Sequence, residues 1–415
     1  MLFNTNGILP PLLLASAVAS YPYPYPHPLS RRSFIAPGDV KDSYDFVIIG
    51  GGLAGLVLAS RLSENSTTNI LVLEAGGNGD NIRERIGGSF SKTRPRFYAR
   101  DLTVMVTVTV ALFLFSDTPS LAYYNNILSE PNIDWMYRTQ PQDMLNNRQV
   151  PWPSGKVVGG SSAANGMYLV RPSSVEVDVW HELIKDLNGS DAWTSASFFG
   201  AMRKVRSLTQ ITVPCSNFLL LFQSETFTPP RDDIRDLAHV AYNETAHGTT
   251  GPLHSTYSAY MPAMYGSWIG TLSSQGVTPA PNPYNGEASG AYISTLAINP
   301  TNWTRSYSRS AYIDPYYRPN LHILTDAPVS KVVLDGTTVV GAQYGPDLKT
   351  VKATKEVILS AGAIGSPAIL LRSGIGPKDI LDSAAITTLV NLPGVGQHLQ
   401  DHVVRQFLAL VRTSR

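Results

Sequence analysis

The sequence contains a single cysteine, Cys215, among 415 residues. One thiol excludes an intramolecular disulfide and any iron–sulfur or multi-cysteine metal site. Charge is scarce too: Asp, Glu, Lys and Arg make up 15% of the chain, against about 25% in an average soluble protein. Neither sign dominates, with 32 basic and 31 acidic residues leaving a net +1. A nucleic-acid binder therefore has no basic excess with which to neutralise phosphates. The apolar stretches at 8–19 and 102–115 are too short to span a bilayer. What the chain does have is apolar material, 43% of its residues, which supplies a sizeable core and excludes global disorder. Its length suits two or three domains, and its 33 Gly and 30 Pro indicate many turns.

The amino terminus reads as a targeting segment. Residues 8–19 (ILPPLLLASAVA) have the length of a signal-peptide core, and Ala17 and Ala19 place small residues before a cleavage point. Residues 1–19 are thus expected to be a signal peptide. Residues 20–43 form a linker that opens on an extended Tyr-Pro repeat. Four Asn-X-Ser/Thr sequons, at Asn65, Asn188, Asn243 and Asn302, agree with a secreted protein.

Residues 44–76 carry the first chemical motif. Phe46–Ile49 is a short, wholly apolar run, as expected of a strand buried on both faces. Gly50-x-Gly52-x-x-Gly55 follows directly, then Leu56, Leu58, Ala59 and Leu62 at roughly helical spacing. Ile70–Leu73 is a second buried strand, ending in Glu74. This strand–turn–helix–strand–acid order is that of a dinucleotide-binding unit. Gly50 permits the tight turn, Gly52 admits a pyrophosphate to the backbone, and Gly55 allows close helix–strand packing. Leu53 and Ala54 open the helix, whose free N–H groups and dipole favour phosphate. Glu74, with Ala75 beside it, is placed to accept from the ribose hydroxyls of an adenosine. The acid argues against NADP, but the motif does not separate FAD from NAD.

Three later segments complete a pattern. They are GKVVGGSSAANGMYLVR (155–171), SAGAIGSPAILLRSGIG (360–376) and LPGVGQHLQDH (392–402). With the glycine turn, they make the chain resemble the glucose–methanol–choline (GMC) oxidoreductase family, in particular its fungal secreted members and secondary-metabolite dehydrogenases. Residue chemistry agrees. Gly159 and Ser161 offer backbone approach and a hydroxyl; Asn165, Gly166, Met167 and Tyr168 offer an amide, an open backbone and an aromatic face. The resemblance places 155–171 along an FAD cofactor and assigns Val329 a backbone contact to adenine.

The resemblance also implies an α/β fold: a doubly wound, Rossmann-like FAD-binding domain with an interleaved α+β substrate domain built on an antiparallel sheet. The expected boundaries are 44–175 (FAD domain, first part), 176–320 (partial substrate domain) and 321–415 (return to the FAD domain). His322–Thr325 and Pro328–Leu334 read as strands of a small sheet. The implied reaction is oxidation of a small-molecule alcohol, with hydride passing to the flavin and the hydroxyl proton to a His. In the family that His, with a second His or an Asn, lies beyond the LPGVG turn. No His here occupies a matching position, so no catalytic residue is assigned, and the chain is expected to be truncated and without appreciable turnover. Two alternatives stay open: a non-redox, FAD-containing cyclase of the versicolorin B synthase type, and a non-catalytic remnant.

His398 and His402 are four residues apart but lack a third ligand, so no metal is expected. Residues 102–115 and 205–223 look like insertions, and the second separates FFGAMRK from SETFTPP. It begins with Val205 and ends with Gln223, whose codons accommodate intron borders. Sequencing of the spliced transcript is expected to lack codons 205–223; a cDNA that retains them overturns the intron origin.

Overall fold

A computed structural model describes residues 33–80, 105–107, 130–203, 225–259, 261, 263–401 and 408–410. Its first unit follows the sequence closely. Strand β1 (Ser43–Ile49) leads through the glycine turn into helix α1 (Leu53–Leu62), and the chain returns as β2 (Ile70–Leu73) parallel to β1. Val47, Ile48, Ile49 and all of β2 are buried to 2% exposure or less. Because strand side chains alternate between faces, this continuous apolar run serves two cores. Ile48, Ile70 and Val72 pack with Leu56, Leu58 and Ala59 of α1. Val47, Ile49, Leu71 and Leu73 face the opposite side. Fully burying one such side chain is worth about 1.5–3 kcal/mol.

Three helices matter here in the middle of the chain: α2 (Ser161–Ala164), α3 (Ser174–Ile184) and α4 (Ser308–Tyr312). Ser173 caps α3 by accepting from Glu176 N while the Glu176 carboxylate accepts from Ser173 N, a reciprocal capping box. α4 packs on α1, with Tyr312 and Ala311 against Val57.

The chain then returns to the sheet through β3 (Leu321–Leu324), β4 (Val329–Asp335), β5 (Thr338–Tyr344) and β6 (Lys349–Leu359), followed by helix α5 (Gly362–Arg372). The strand order is β3-β2-β1-β6-β5-β4. The first four strands are parallel; β5 and β4 join antiparallel. The small separate sheet expected for 322–334 is therefore not formed. β3 lies parallel to β2 at one edge, and the β4–β5 hairpin extends the other. The reason lies in β6, whose 11 residues serve two partners. Its first half pairs with β5 and its second with β1, the change falling at Lys352. The mixed α/β architecture with a parallel, doubly wound core matches the expected fold class.

Other expectations land differently. Phe34, inside the expected linker, forms a parallel bridge to Ile323 and so extends the sheet edge. Among the described residues of 176–320, pairing is confined to two- and three-residue strands, and Glu225–Phe227 with Leu253–Ser255 is parallel. An antiparallel sheet spanning that region is not seen there. Met105–Thr107 pairs antiparallel with Leu408–Leu410. The remainder of 102–115, all of 205–223, the signal segment and His402 lie outside the described residues, while His398 is exposed with φ 56°. At Asn65, Asn243 and Asn302, the side-chain oxygen accepts from the hydroxyl of the Thr two residues on. Among the described residues, no helix is long and apolar enough to cross a membrane.

In place of a large sheet, a buried ionic cluster holds 171–284 together. Arg171 Nη2 donates to Glu225 Oε1 at 2.6 Å, and its Nη1 to the carbonyls of Ala246 and Tyr284. His247 Nδ1 and Ser255 Oγ also donate to the Glu225 carboxylate. Burial pushes the Glu225 carboxyl up, but the His247 hydrogen bond and the Arg171 charge outweigh it and hold the carboxyl below its usual range. Arg171→Met strands a buried carboxylate. It is expected to lower unfolding stability by about 3–5 kcal/mol, measured by urea titration; an unchanged midpoint refutes the central role of this cluster.

Candidate functional site

The glycine turn after β1 opens onto a cavity of about 500 Å³. Close approach makes glycine obligatory at two places. A Cβ on Gly55 would lie 2.0 Å from Gly50 O, so only glycine lets α1 fold back over the turn. A Cβ on Gly160 would lie 2.7 Å from the Cα of Gly52, so the loop before α2 abuts the first turn directly. Gly159 N donates to Gly51 O at 2.8 Å and fixes that contact.

Two helices point their N-termini into this cavity. α1 has Gly52 as its N-cap and α5 has Ala361, and neither cap residue supplies a side-chain hydrogen bond. Neither first turn holds an acid. Leu53 and Ala54 of α1 and Gly362 and Gly365 of α5 line the wall. The first N–H groups of each helix lack intrahelical acceptors, and the dipoles add positive potential there. A diphosphate fits such a wall without basic side chains.

Glu74 sits at the end of β2, 6% exposed. Its Oε2 accepts from Gly51 N at 2.7 Å and its Oε1 from Gly76 N at 2.8 Å. Burial pushes its carboxyl up to about 7, with the backbone N–H groups of Gly76 and Gly51 opposing that rise. Each carboxylate oxygen keeps acceptor capacity beyond its one N–H, so the group suits a ribose hydroxyl.

Of the residues singled out from sequence, Gly50, Gly52, Leu53, Ala54, Glu74, Ala75, Ser161 and Val329 line the cavity together. Gly55 lies beneath it as packing. Gly159 also sits behind the wall, against the Tyr307 ring. Asn165, Gly166, Met167 and Tyr168 do not line it. Asn165 Oδ1 accepts from Arg305 Nη1 at 2.7 Å and from Met167 N at 3.0 Å, closing a tight turn. Met167 is fully buried with Leu296 and Ile298 at φ 64°. Tyr168 is half-exposed and faces a second cavity of about 180 Å³, with Met261, Met264, Tyr265, Trp268 and Tyr292.

The wall also contains residues not assigned from sequence: Trp135, Tyr137, Ser154, Gly160, Ser360–Gly362, Ser366 and Arg372. A signal for half of them was present. Val357–Gly362 repeats the logic of the first motif, a buried strand running into a small-residue turn and a helix. No local pattern marked Trp135 or Tyr137.

Comparison with known proteins follows the same outline. Residues 44–404 match the family model for GMC oxidoreductases. A GMC oxidoreductase family protein of Malassezia sympodialis, Mala s 12, is 37% identical over 370 residues, covering 87% of this chain and 51% of its own length. An FAD-dependent oxidoreductase from Chaetomium thermophilum superposes with a TM-score of 0.66 at 30% identity, covering 86% of this chain and 52% of that one. A fungal aryl-alcohol oxidase gives 0.64 at 27% identity, covering 86% and 52%. The chain spans about half the length of the curated relatives it matches. The family and its FAD-dependent structural neighbours support FAD as the cofactor. On the family match across 44–404, the chain belongs to the GMC oxidoreductase family.

Proposed function

We propose that this chain forms the FAD-binding part of an oxidoreductase whose donor is a small-molecule alcohol. One observation carries the reading: two helix N-termini without side-chain caps and a buried carboxylate converge on a single cavity beside a glycine turn. Backbone N–H groups of α1 and α5 would hold the diphosphate, and Glu74 would accept from the ribose. Ser161 offers a hydroxyl, and Val329, which lines the cavity, would offer its backbone to the adenine edge. The bound flavin supplies the electron acceptor for a hydride leaving the alcohol carbon.

Alcohol oxidation also needs a base within hydrogen-bond reach of the substrate hydroxyl. Among the described residues, the titratable ones lining the cavity are Glu74, Tyr137 and Arg372, and no His is among them. Glu74 accepts from Gly51 and Gly76 and is proposed to accept from the ribose, burial keeps the Tyr137 hydroxyl protonated, and an Arg stays protonated. The chain is therefore proposed to bind FAD without oxidising alcohol by itself. Purified 415-residue chain, incubated with FAD and desalted, is expected to retain a yellow chromophore near one equivalent. Addition of benzyl alcohol without oxygen is expected to leave that absorbance unchanged. Failure to retain flavin overturns the cofactor assignment; bleaching by the alcohol overturns the assigned inactivity.

Glu74 gives the site a pH signature. The folded protein keeps this proton up to about pH 7, whereas an exposed carboxyl releases it near 4.5. Between those values the folded state binds more protons than the unfolded chain. The associated stability is present in full below about pH 4.5 and is lost as pH rises through 7. Its size is on the order of 3 kcal/mol. Glu74→Gln is expected to flatten this part of the profile of thermal midpoint against pH. A variant profile parallel to that of the wild type argues against the burial-raised carboxyl.

A further inference from the structure

The second cavity, of about 180 Å³, shares no lining residue with the main one. Part of its wall is a short ladder. Tyr168 and Leu296 are direct partners in an antiparallel pair, so their side chains leave it on the same face, and both line the cavity. Met261, Met264, Tyr265 and Trp268 add a second stretch, which passes through a turn at Ala263–Ser267 into the helix Trp268–Ser274. Tyr292, Ile293 and Ser294 lie just before the ladder residue Leu296. The wall is anchored from behind: Met261 is buried with Ile234, Ala238 and Tyr257, and Tyr265 and Ile293 pack on that core.

Size limits the occupant. An apolar cavity of about 150 Å³ holds one benzene molecule. A slightly larger one therefore suits a single six-membered ring with one small substituent, and not the three fused rings of a flavin. The lining limits its chemistry. Among the described residues, no Asp, Glu, Lys, Arg or His lines this cavity. An ionised ligand would leave water with no counter-charge to meet it. Indole and phenol rings favour an aromatic guest in stacked or edge-to-face contact, and two thioethers adapt to its outline. The hydroxyls of Tyr265, Tyr292 and Ser294 can meet one polar group on the guest. Burial pushes the Tyr265 hydroxyl up to about 12, with Tyr168 adding to the rise, and burial raises Tyr292 as well. Both phenols therefore stay protonated at neutral pH and able to donate.

We propose that this second cavity is a binding site for a small, uncharged phenol-type compound: one aromatic ring with a hydroxyl and no ionised group. The site goes beyond the FAD reading and does not rest on it, because the two cavities have separate walls.

The test is isothermal titration calorimetry of the purified full chain, without added FAD, using p-cresol and 4-hydroxybenzoate as probes. The two differ by a methyl group against a carboxylate. p-Cresol is expected to bind with one-to-one stoichiometry, and 4-hydroxybenzoate at least about ten-fold more weakly. Trp268→Ala and Met264→Ala are each expected to weaken p-cresol binding about ten-fold. Met264, 37% exposed, provides a substitution with little risk to folding, and thermal midpoints are measured for both variants. The proposal is overturned if p-cresol does not bind, if 4-hydroxybenzoate binds as tightly, or if the folded variants bind p-cresol like the wild type. Flavin retention is scored separately on the same preparation. A chain that binds p-cresol but keeps no flavin loses the cofactor assignment and retains this site; one that keeps flavin but ignores p-cresol does the reverse.

Discussion

The Glu74 carboxylate is the joint on which the site turns. One oxygen holds Gly51, in the turn after β1, and the other holds Gly76, in the turn after β2. Those two turns lie at the ends of neighbouring parallel strands, and the second carries the loop that meets Lys156 and Val157. A buried carboxylate without donors would cost several kcal/mol; with two backbone N–H groups it becomes a clamp. The group proposed to accept from the ribose therefore first sets the spacing of the wall. Glu74 also anchors the far side, since its own backbone oxygen accepts from Ala327 N.

The wall around that clamp carries little side-chain charge. In the proposed reading, phosphate is met by helix ends rather than by lysines, in keeping with a chain poor in charge overall. This economy demands close backbone approach, which explains why the loop before α2 lies directly on the first turn. The buried Arg171–Glu225–His247 cluster works in the opposite way. There full charges are taken out of water, and their mutual bonding holds a region with little regular sheet.

Legibility in the sequence followed locality. The β1–α1–β2 unit was readable because apolar runs, glycine spacing and the acid all fall within 33 residues, 44–76. Each constraint there is steric and short-range. The second turn at Ser360–Gly362 had the same local grammar and could be found by the same logic. Met167 and Tyr168 were not readable in this way. Met167 is buried by Leu296 and Ile298, more than a hundred residues away, which turns Tyr168 toward a different cavity. The placement of β3 depended on a choice that residues 321–335 do not contain. A buried strand of that length can pair in a small sheet or a large one, and here it pairs along β2. Trp135 and Tyr137 reach the wall through a bridge between Asp134 and Gly155, a pairing with no sequence signature.

The position of β1 has a consequence for the order in which the molecule can be made. β1 lies between β2, which follows it at once, and β6, whose pairing residues extend to Leu359. At about 5–20 residues per second, the ribosome needs roughly 15–60 s to deliver that second partner after β1 has emerged. Throughout that interval the most apolar strands of the protein have one edge unpaired and one face uncovered, the hazard that long-range sheets carry in general. Until the residues up to Leu359 are made, the first βαβ unit has only its own helix to cover it. The cavity, whose wall includes residues from both ends of that interval, cannot be complete before the later end has been made.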